Sequence, residues 1–242
     1  MKKHRLWAQK VFFLSFKTAA CLNGAALLLI LYFMVSRGWR AISWDFLTQS
    51  PKDSMTAGGI LPCIVGTTSL CLMTLMVALP IGVCSAVYLN EYARQGTLVR
   101  IIRLGINNLA GVPSIVFGLF GLAFFCIVLK MGVSIAAGGL TLGIMTLPVI
   151  IGASEEALKA VPNTYREASF AMGATKWQTI KKVVLPAAFP GIITGSILGL
   201  SRAAGETAPI MYTGAVFFTP DLPGSILDEV KINNSFPLSE KR

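Results

Sequence analysis

Residues 163–186 read NTYREASFAMGATKWQTIKKVVLP, a polar stretch set between two long apolar segments. Thr164 and Glu167 have the spacing of a capping box, which predicts a short helix that begins at Thr164. Gly173 is placed to end that helix in the left-handed conformation that glycine adopts without strain. The capping pattern recurs at 175–178 and predicts a second helix that runs into the following apolar segment. Two capped helices are more order than a simple linker requires.

The second helix is amphipathic. Its predicted apolar face carries Trp177, Ile180 and Val184. Its basic residues, Lys176, Lys181 and Lys182, lie on the other faces. A basic helix–turn–helix is also typical of DNA readers, but this unit lies between membrane segments with no dimer context. A solvated loop that merely joins two spans is the other alternative. We favour an ordered element that is presented to the cytoplasm and docks on a partner.

The composition places the chain in a membrane. Of its 242 residues, 54% are hydrophobic and 13% are charged, and the mean hydropathy is +0.68. Soluble domains have about 25% charged residues. The high hydrophobic content of this chain excludes a disordered protein, and its low charge content disfavours an ordinary soluble domain. A spanning helix needs about 20 apolar residues. The charge-free windows of that size are 18–36, 54–90, 104–129, 131–154 and 183–201. They predict an all-α polytopic transmembrane bundle with five clear spans, in which part of 54–90 is loop.

The basic residues predict the orientation. The net charge is +10, and 13 of the 21 Lys and Arg residues lie in segments 1–17, 91–103 and 155–182. Basic loops face the cytoplasm. We therefore expect a multi-pass protein of the bacterial inner (plasma) membrane with a cytoplasmic N-terminus, and the charge is no signal for nucleic acid.

The sequence lacks the residues that catalysis or metal binding would require. His4 is the only histidine, and the five cysteines lie in apolar stretches without a CxxC pair. A metal site, a catalytic triad and a phosphate-binding Gly-Lys-Ser/Thr loop are all missing from the sequence. We expect no catalytic residue, no metal and no cofactor, so ATP, if used, is bound by another chain.

A charged pair follows the last apolar window. Arg202 and Glu206 are four residues apart, and a helical wheel puts them on the same side as Gly191, Gly195 and Gly199. Intramembrane charges turn towards the bundle interior or a water-filled path. The hypothesis is that this face lines the translocation path, with the Arg202 fork binding substrate oxygens and Glu206 holding it. The alternative is a structural ion pair at the outer membrane boundary.

The third window carries a second small-residue face. Gly111, Ser114, Gly118 and Gly121 share one side of a helix, and Pro113 opens its hydrogen bonding locally. Plain helix packing is favoured over a pore-lining kink.

The stretch around Glu167 resembles a family motif. Glu167-Ala168-Ser169, Gly173, Val183 and Leu185-Pro186 are similar to the EAA motif of ABC importer permeases, with Ser169 in place of Ala and Val183 in place of Ile. The resemblance implies a type I, MetI-like permease fold. It also implies that 163–175 is the coupling helix, with Glu167, Ala168, Ser169 and Gly173 coupling to the ATPase. Glu167 then caps its own helix, faces the ATPase, or both.

Further stretches resemble phosphate-importer permeases of the PstA kind across 57–214. They are Gly58-Gly59-Ile60, Ala86–Tyr92, Gly111–Gly118, Thr146-Leu147-Pro148 and Arg202–Pro209. The resemblance implies a non-enzymatic subunit of an ATP-driven phosphate importer that forms half of the translocation pathway. The implied partners are a PstC-like second permease, two PstB-like ATPase subunits and a PstS-like phosphate-binding protein. An ABC permease for molybdate, sulfate or an amino acid, and an ATP-independent channel or secondary transporter, are the alternatives.

The expected organisation has four parts. Residues 1–17 form a basic cytoplasmic N-terminus, 18–36 the first span, 57–214 the permease core with its loop at 154–182, and 215–242 a polar tail. Permeases of this kind finish with a further span, which we expect to be truncated or dispensable here. Five spans would place the C-terminus outside.

Overall fold

The computed structural model describes residues 2–52, 57–94 and 96–214, and the predicted tail at 215–242 lies outside them. The chain divides into two compact units, Met1–Leu61 and Pro62–Arg242. The described residues are almost entirely helical, as the sequence predicts. The domain boundaries expected from the sequence remain predictions.

The elements follow one another as helices joined by short turns. The α-helices are α1 Lys2–Gly38, α2 Trp44–Thr48, α3 Leu61–Val87, α4 Thr97–Ala110, α5 Ser114–Gly121, α6 Ile135–Lys159, α7 Asn163–Ala171, α8 Lys176–Thr179, α9 Leu185–Ala204 and α10 Ala208–Thr213. A 3-10 turn follows α1 at Trp39–Ala41, and π-helical turns continue α3, α5 and α8 at Tyr88–Tyr92, Leu122–Val128 and Ile180–Val184. Strands β1 Pro51–Lys52 and β2 Ala57–Gly58 form an antiparallel ladder, with Pro51 opposite Gly58.

The first unit consists of one long apolar helix and a small capped turn. Large side chains of α1 such as Phe12, Leu28 and Tyr32 are exposed, as expected for a helix that is apolar on all sides and meets lipid. The Ser43 side chain caps α2 by accepting a hydrogen bond from Phe46 N at 3.2 Å.

Four helical segments of the described chain are long and apolar enough to cross a membrane: Phe12–Ala41, Leu61–Tyr92, Ile135–Lys159 and Lys176–Ala204. They correspond to four of the five predicted windows. Within 54–90, the described residues before the helix include β2, as the expected loop allows, and α3 then runs through Pro80 to Val87.

The third predicted span is not continuous. The sequence predicts one helix over 104–129, whereas the structure has Thr97–Ala110 and Ser114–Val128 at 97° to each other. Proline lacks an N–H and disfavours helical backbone in the residue before it, so the helix stops ahead of Pro113. The described residues therefore contain up to five spans, if this bent pair is counted as one. Gly118 and Gly121 lie against α10 and α6, as the packing interpretation predicts.

Helix α6 is the centre of the second unit. Of its most apolar 18-residue window, 72% is buried, more than in the other three continuous spans of the described chain. It packs most extensively on α9. The ridge Gly191, Gly195 and Gly199 faces Ala157, Ala153 and Ile150 of α6. These glycines share one face, as predicted, but α6 covers that face, so this part of it is a packing surface rather than a path.

Candidate coupling loop and translocation path

The first helix of the candidate coupling loop begins one residue before Thr164, where its capping pattern predicts the start. Helix α7 starts at Asn163 with Pro162 at the cap position, and no side chain caps this fully described helix. The predicted capping box of Thr164 and Glu167 is therefore wrong. Proline restricts φ to the value that it has here, −58°, and takes the cap position, so Thr164 lies inside the first turn.

The predicted left-handed end of α7 is confirmed. Gly173 has φ +80°. Its N–H donates to Phe170 O at 2.9 Å, and the N–H of Ala174 donates to Ser169 O at 3.2 Å. These two bonds are the Schellman pattern, which satisfies the last carbonyl groups of the helix and reverses the chain.

The predicted capping box at the start of α8 is also confirmed. Thr175 N donates to Gln178 Oε1 at 2.8 Å, and Gln178 N donates to Thr175 Oγ1 at 3.4 Å. A π-helical turn then leads into α9, so Lys176–Ala204 is one continuous segment. Ile180 and Val184 of the predicted apolar face are buried, whereas Trp177, the third residue of that face, is 59% exposed.

The loop presents apolar side chains to solvent. Tyr165, Phe170, Met172 and Trp177 are all exposed, and Met172 is 89% exposed. Glu167 and Ala168 are exposed beside them, whereas the Ser169 hydroxyl lies 2.9 Å from the Thr179 hydroxyl. Exposed apolar clusters are typical of protein-binding surfaces. Ser169 ties the two loop helices together, and Glu167 is free of the capping role that the sequence suggests for it.

A partly buried ion pair joins this loop to the π-helical turn that continues α3, and the sequence pattern did not predict it. Arg166 Nη2 donates to Glu91 Oε1 at 2.7 Å, and Nε donates to the same oxygen at 3.3 Å. The guanidinium also donates to Val161 O at 2.8 Å and to Leu158 O at 3.0 Å. The two charges are 75 residues apart in sequence, so no local spacing could pair them.

Arg202 and Glu206 form an ion pair, as their spacing predicts. The distance from Arg202 Nε to Glu206 Oε1 is 3.6 Å, and the side chains are 44% and 18% exposed. Arg202 is in the last turn of α9, and Glu206 lies just beyond the helix. The pair and the coupling loop lie at opposite ends of the segment Lys176–Ala204, roughly 40 Å apart at about 1.5 Å per residue.

A comparison with known protein families identifies the family of this chain. Residues 78–225 match the family described as binding-protein-dependent transport system inner membrane component. The chain belongs to this family. The description of the family places it in the inner membrane, and membership implies an ATPase and a binding protein as partners in general.

Named relatives are transport permeases. The chain is 37% identical over 208 residues to phosphate transport system permease protein PstA 1 of Mycobacterium tuberculosis, covering 84% of this chain and 67% of that protein. It is 33% identical over 201 residues to probable ABC transporter permease protein YqgI of Bacillus subtilis, covering 83% and 68%. The chain thus spans about two thirds of the length of these relatives.

A solved structure shares the architecture. Inward-facing structures of the MetNI methionine ABC transporter include one that matches with a TM-score of 0.52 and 26% identity, over 64% of this chain and 73% of that chain. The MetI-like fold that the motif resemblance implies is confirmed.

Proposed function

We propose that this chain is a permease subunit of an ATP-driven importer for inorganic phosphate, forming half of the translocation pathway. The observation that carries the proposal is the 37% identity to a phosphate transport permease across 84% of this chain. The PstC-like second permease, the two PstB-like ATPases and the PstS-like binding protein belong to the proposal.

The coupling part of the proposal rests on the exposed surface of the loop. The rim is Glu167 with Ala168, and the apolar centre is Phe170 with Met172. An apolar centre with a charged rim is the usual composition of a docking surface between proteins. The ATPase occupies this surface, and Gly173 sets the angle at which α8 leaves it. The loop is then cytoplasmic, and so is the N-terminus.

Uptake of labelled phosphate tests the proposed substrate. The importer, assembled with its second permease, ATPase and binding protein in liposomes, is expected to accumulate phosphate only when ATP is supplied. Competing molybdate, sulfate or amino acids should leave this uptake unchanged. Uptake without ATP would indicate a channel or a secondary transporter instead. Competition by another anion or by an amino acid would show that the proposed substrate is wrong.

Arg202 is proposed to contact phosphate on its path. Its side chain is 44% exposed, and its planar guanidinium fork matches phosphate oxygens in a bidentate way. Arg202→Ala is expected to reduce phosphate uptake at least about tenfold at a normal membrane level, since a charge-assisted bond contributes about 1.5–3 kcal/mol. Arg202→Lys should recover part of it, because lysine keeps the charge and loses the fork.

The matched control is Arg100→Ala, which removes an exposed arginine of α4. Its uptake should equal that of the unchanged protein. Wild-type uptake in Arg202→Ala would leave Arg202 and Glu206 as a structural ion pair only.

A further inference from the structure

The end of α3 contacts both helices of the coupling loop. Its π-helical turn Tyr88–Tyr92 carries Glu91, which accepts two hydrogen bonds from Arg166 of α7. Lys176 Nζ of α8 lies 4.9 Å from the centroid of the Tyr92 ring, within the range of a cation–π contact. This π-helical turn therefore contacts the loop helices on both sides of Gly173.

The ion pair is shielded from solvent. The side chains of Arg166 and Glu91 are 15% and 9% exposed, whereas the carboxylate of Glu156, paired with Lys159, belongs to a side chain that is 76% exposed. A charge-assisted pair that is largely shielded from solvent is less screened than a surface pair and holds its two side chains in a more defined geometry. Arg166 and Glu91 therefore move together.

Packing alone does not hold α7. None of its nine residues, all of which the structure describes, is buried. Directional bonds hold it instead: those of Arg166 to α3 and to the carbonyl groups at the end of α6, and the contact between Ser169 and Thr179. On the other side of the pair, α3 buries a residue at every fourth position, namely Leu70, Thr74, Ala78, Gly82 and Ala86. The stripe extends to Leu89 in the π-helical turn, so the turn that carries Glu91 is packed into the bundle together with α3.

We propose that the Arg166–Glu91 ion pair is the link that passes a displacement of α7 to α3. The inference rests on the proposed function, in which an ATPase docks on α7. Both residues are positioning residues, which act through the helices that they join and touch neither phosphate nor ATP. Glu91 is the better residue to substitute. Without its carboxylate, Arg166 keeps its hydrogen bonds to the two carbonyl groups, so α7 stays attached to the end of α6 and only the link to α3 is lost.

Glu91→Gln tests the link in the complete importer in liposomes. We expect normal assembly, since glutamine keeps the shape of the side chain and Arg166 keeps its carbonyl partners. The number of phosphate ions moved per ATP hydrolysed is expected to fall about fivefold or more, the lower range of allosteric coupling factors. Stimulation of hydrolysis by the phosphate-loaded binding protein should fall with it. Glu91→Asp keeps a carboxylate and should give an intermediate ratio.

Glu156→Gln is the control, because it removes an exposed carboxylate at the end of α6 that pairs with Lys159 of the same helix. Its ratio of phosphate to ATP should be that of the unchanged importer. An unchanged ratio in Glu91→Gln overturns the link, and so does a parallel loss of uptake and hydrolysis. Failure of both Glu91 variants to assemble also overturns it, since the pair then only holds the fold. An unchanged importer that moves no phosphate contradicts the proposed function instead.

Discussion

Gly173→Val is expected to detach the ATPase from an otherwise intact permease. Gly173 has φ +80°, a region in which an L-residue is strained by about 1–2 kcal/mol and a β-branched residue by more. Among the described residues, no heavy atom lies within 4 Å of the position that a Cβ would take, so the effect comes from the backbone alone. Relief of that strain rotates α8 relative to α7 and misaligns the docking surface. Co-purification of the ATPase should fall roughly tenfold, since 1.4 kcal/mol is a factor of ten.

Gly173→Asn is the matched control for this prediction, because asparagine tolerates the left-handed region better than other non-glycine residues. It should retain most of the bound ATPase. Equal loss in Asn and Val variants would point to the surface of the loop rather than to its backbone, and wild-type binding in the Val variant would refute the prediction.

Gly195→Val is expected to destabilise the permease itself. The Cβ of any residue at 195 would collide with the Cβ of Ala153, where α9 crosses the most buried helix of the bundle. Overfilling a packed core costs about 1–3 kcal/mol, and the rigid backbones here leave little room to relax. We expect a lower thermal midpoint in detergent and a lower amount of folded protein in the membrane, with uptake lost in the same proportion.

Gly152→Val controls for the residue type, since Gly152 lies on α6 and no heavy atom of the described chain is within 4 Å of its added Cβ. This variant should keep its thermal midpoint within a few degrees. A thermal midpoint of Gly195→Val equal to that of Gly152→Val would contradict the prediction, because α6 and α9 would then not approach each other closely in the folded protein. Together, the two glycine predictions separate coupling from stability, because only the first leaves the membrane level unchanged.

The features that the sequence could predict depend on a few neighbouring residues. The capping box at Thr175 and the left-handed turn at Gly173 each depend on a span of six residues or fewer. The glycine ridge of α9 follows from helical periodicity alone. The failed prediction at Thr164 shows the limit even of local rules, because Pro162 competes for the same cap position.

The Arg202–Glu206 pair could likewise be predicted, since its two residues are four positions apart, about one helical turn. The helix that covers the glycine ridge could not be predicted. A helical wheel shows which residues share a face, but it does not show which helix packs against that face. In the folded chain that neighbour is α6, with Ala157, Ala153 and Ile150.

The sequence by itself determined the apolar segments, the ordered loop between α6 and α9 and the turn at Gly173, because hydropathy, capping and backbone conformation act between near neighbours. Only the tertiary structure decided the 97° break before Pro113 and the pairing of Arg166 with Glu91. A proline predicts that a helix is interrupted, but packing sets the direction that the chain then takes. An ion pair across 75 residues depends on which helix ends meet, and that is a property of the whole bundle.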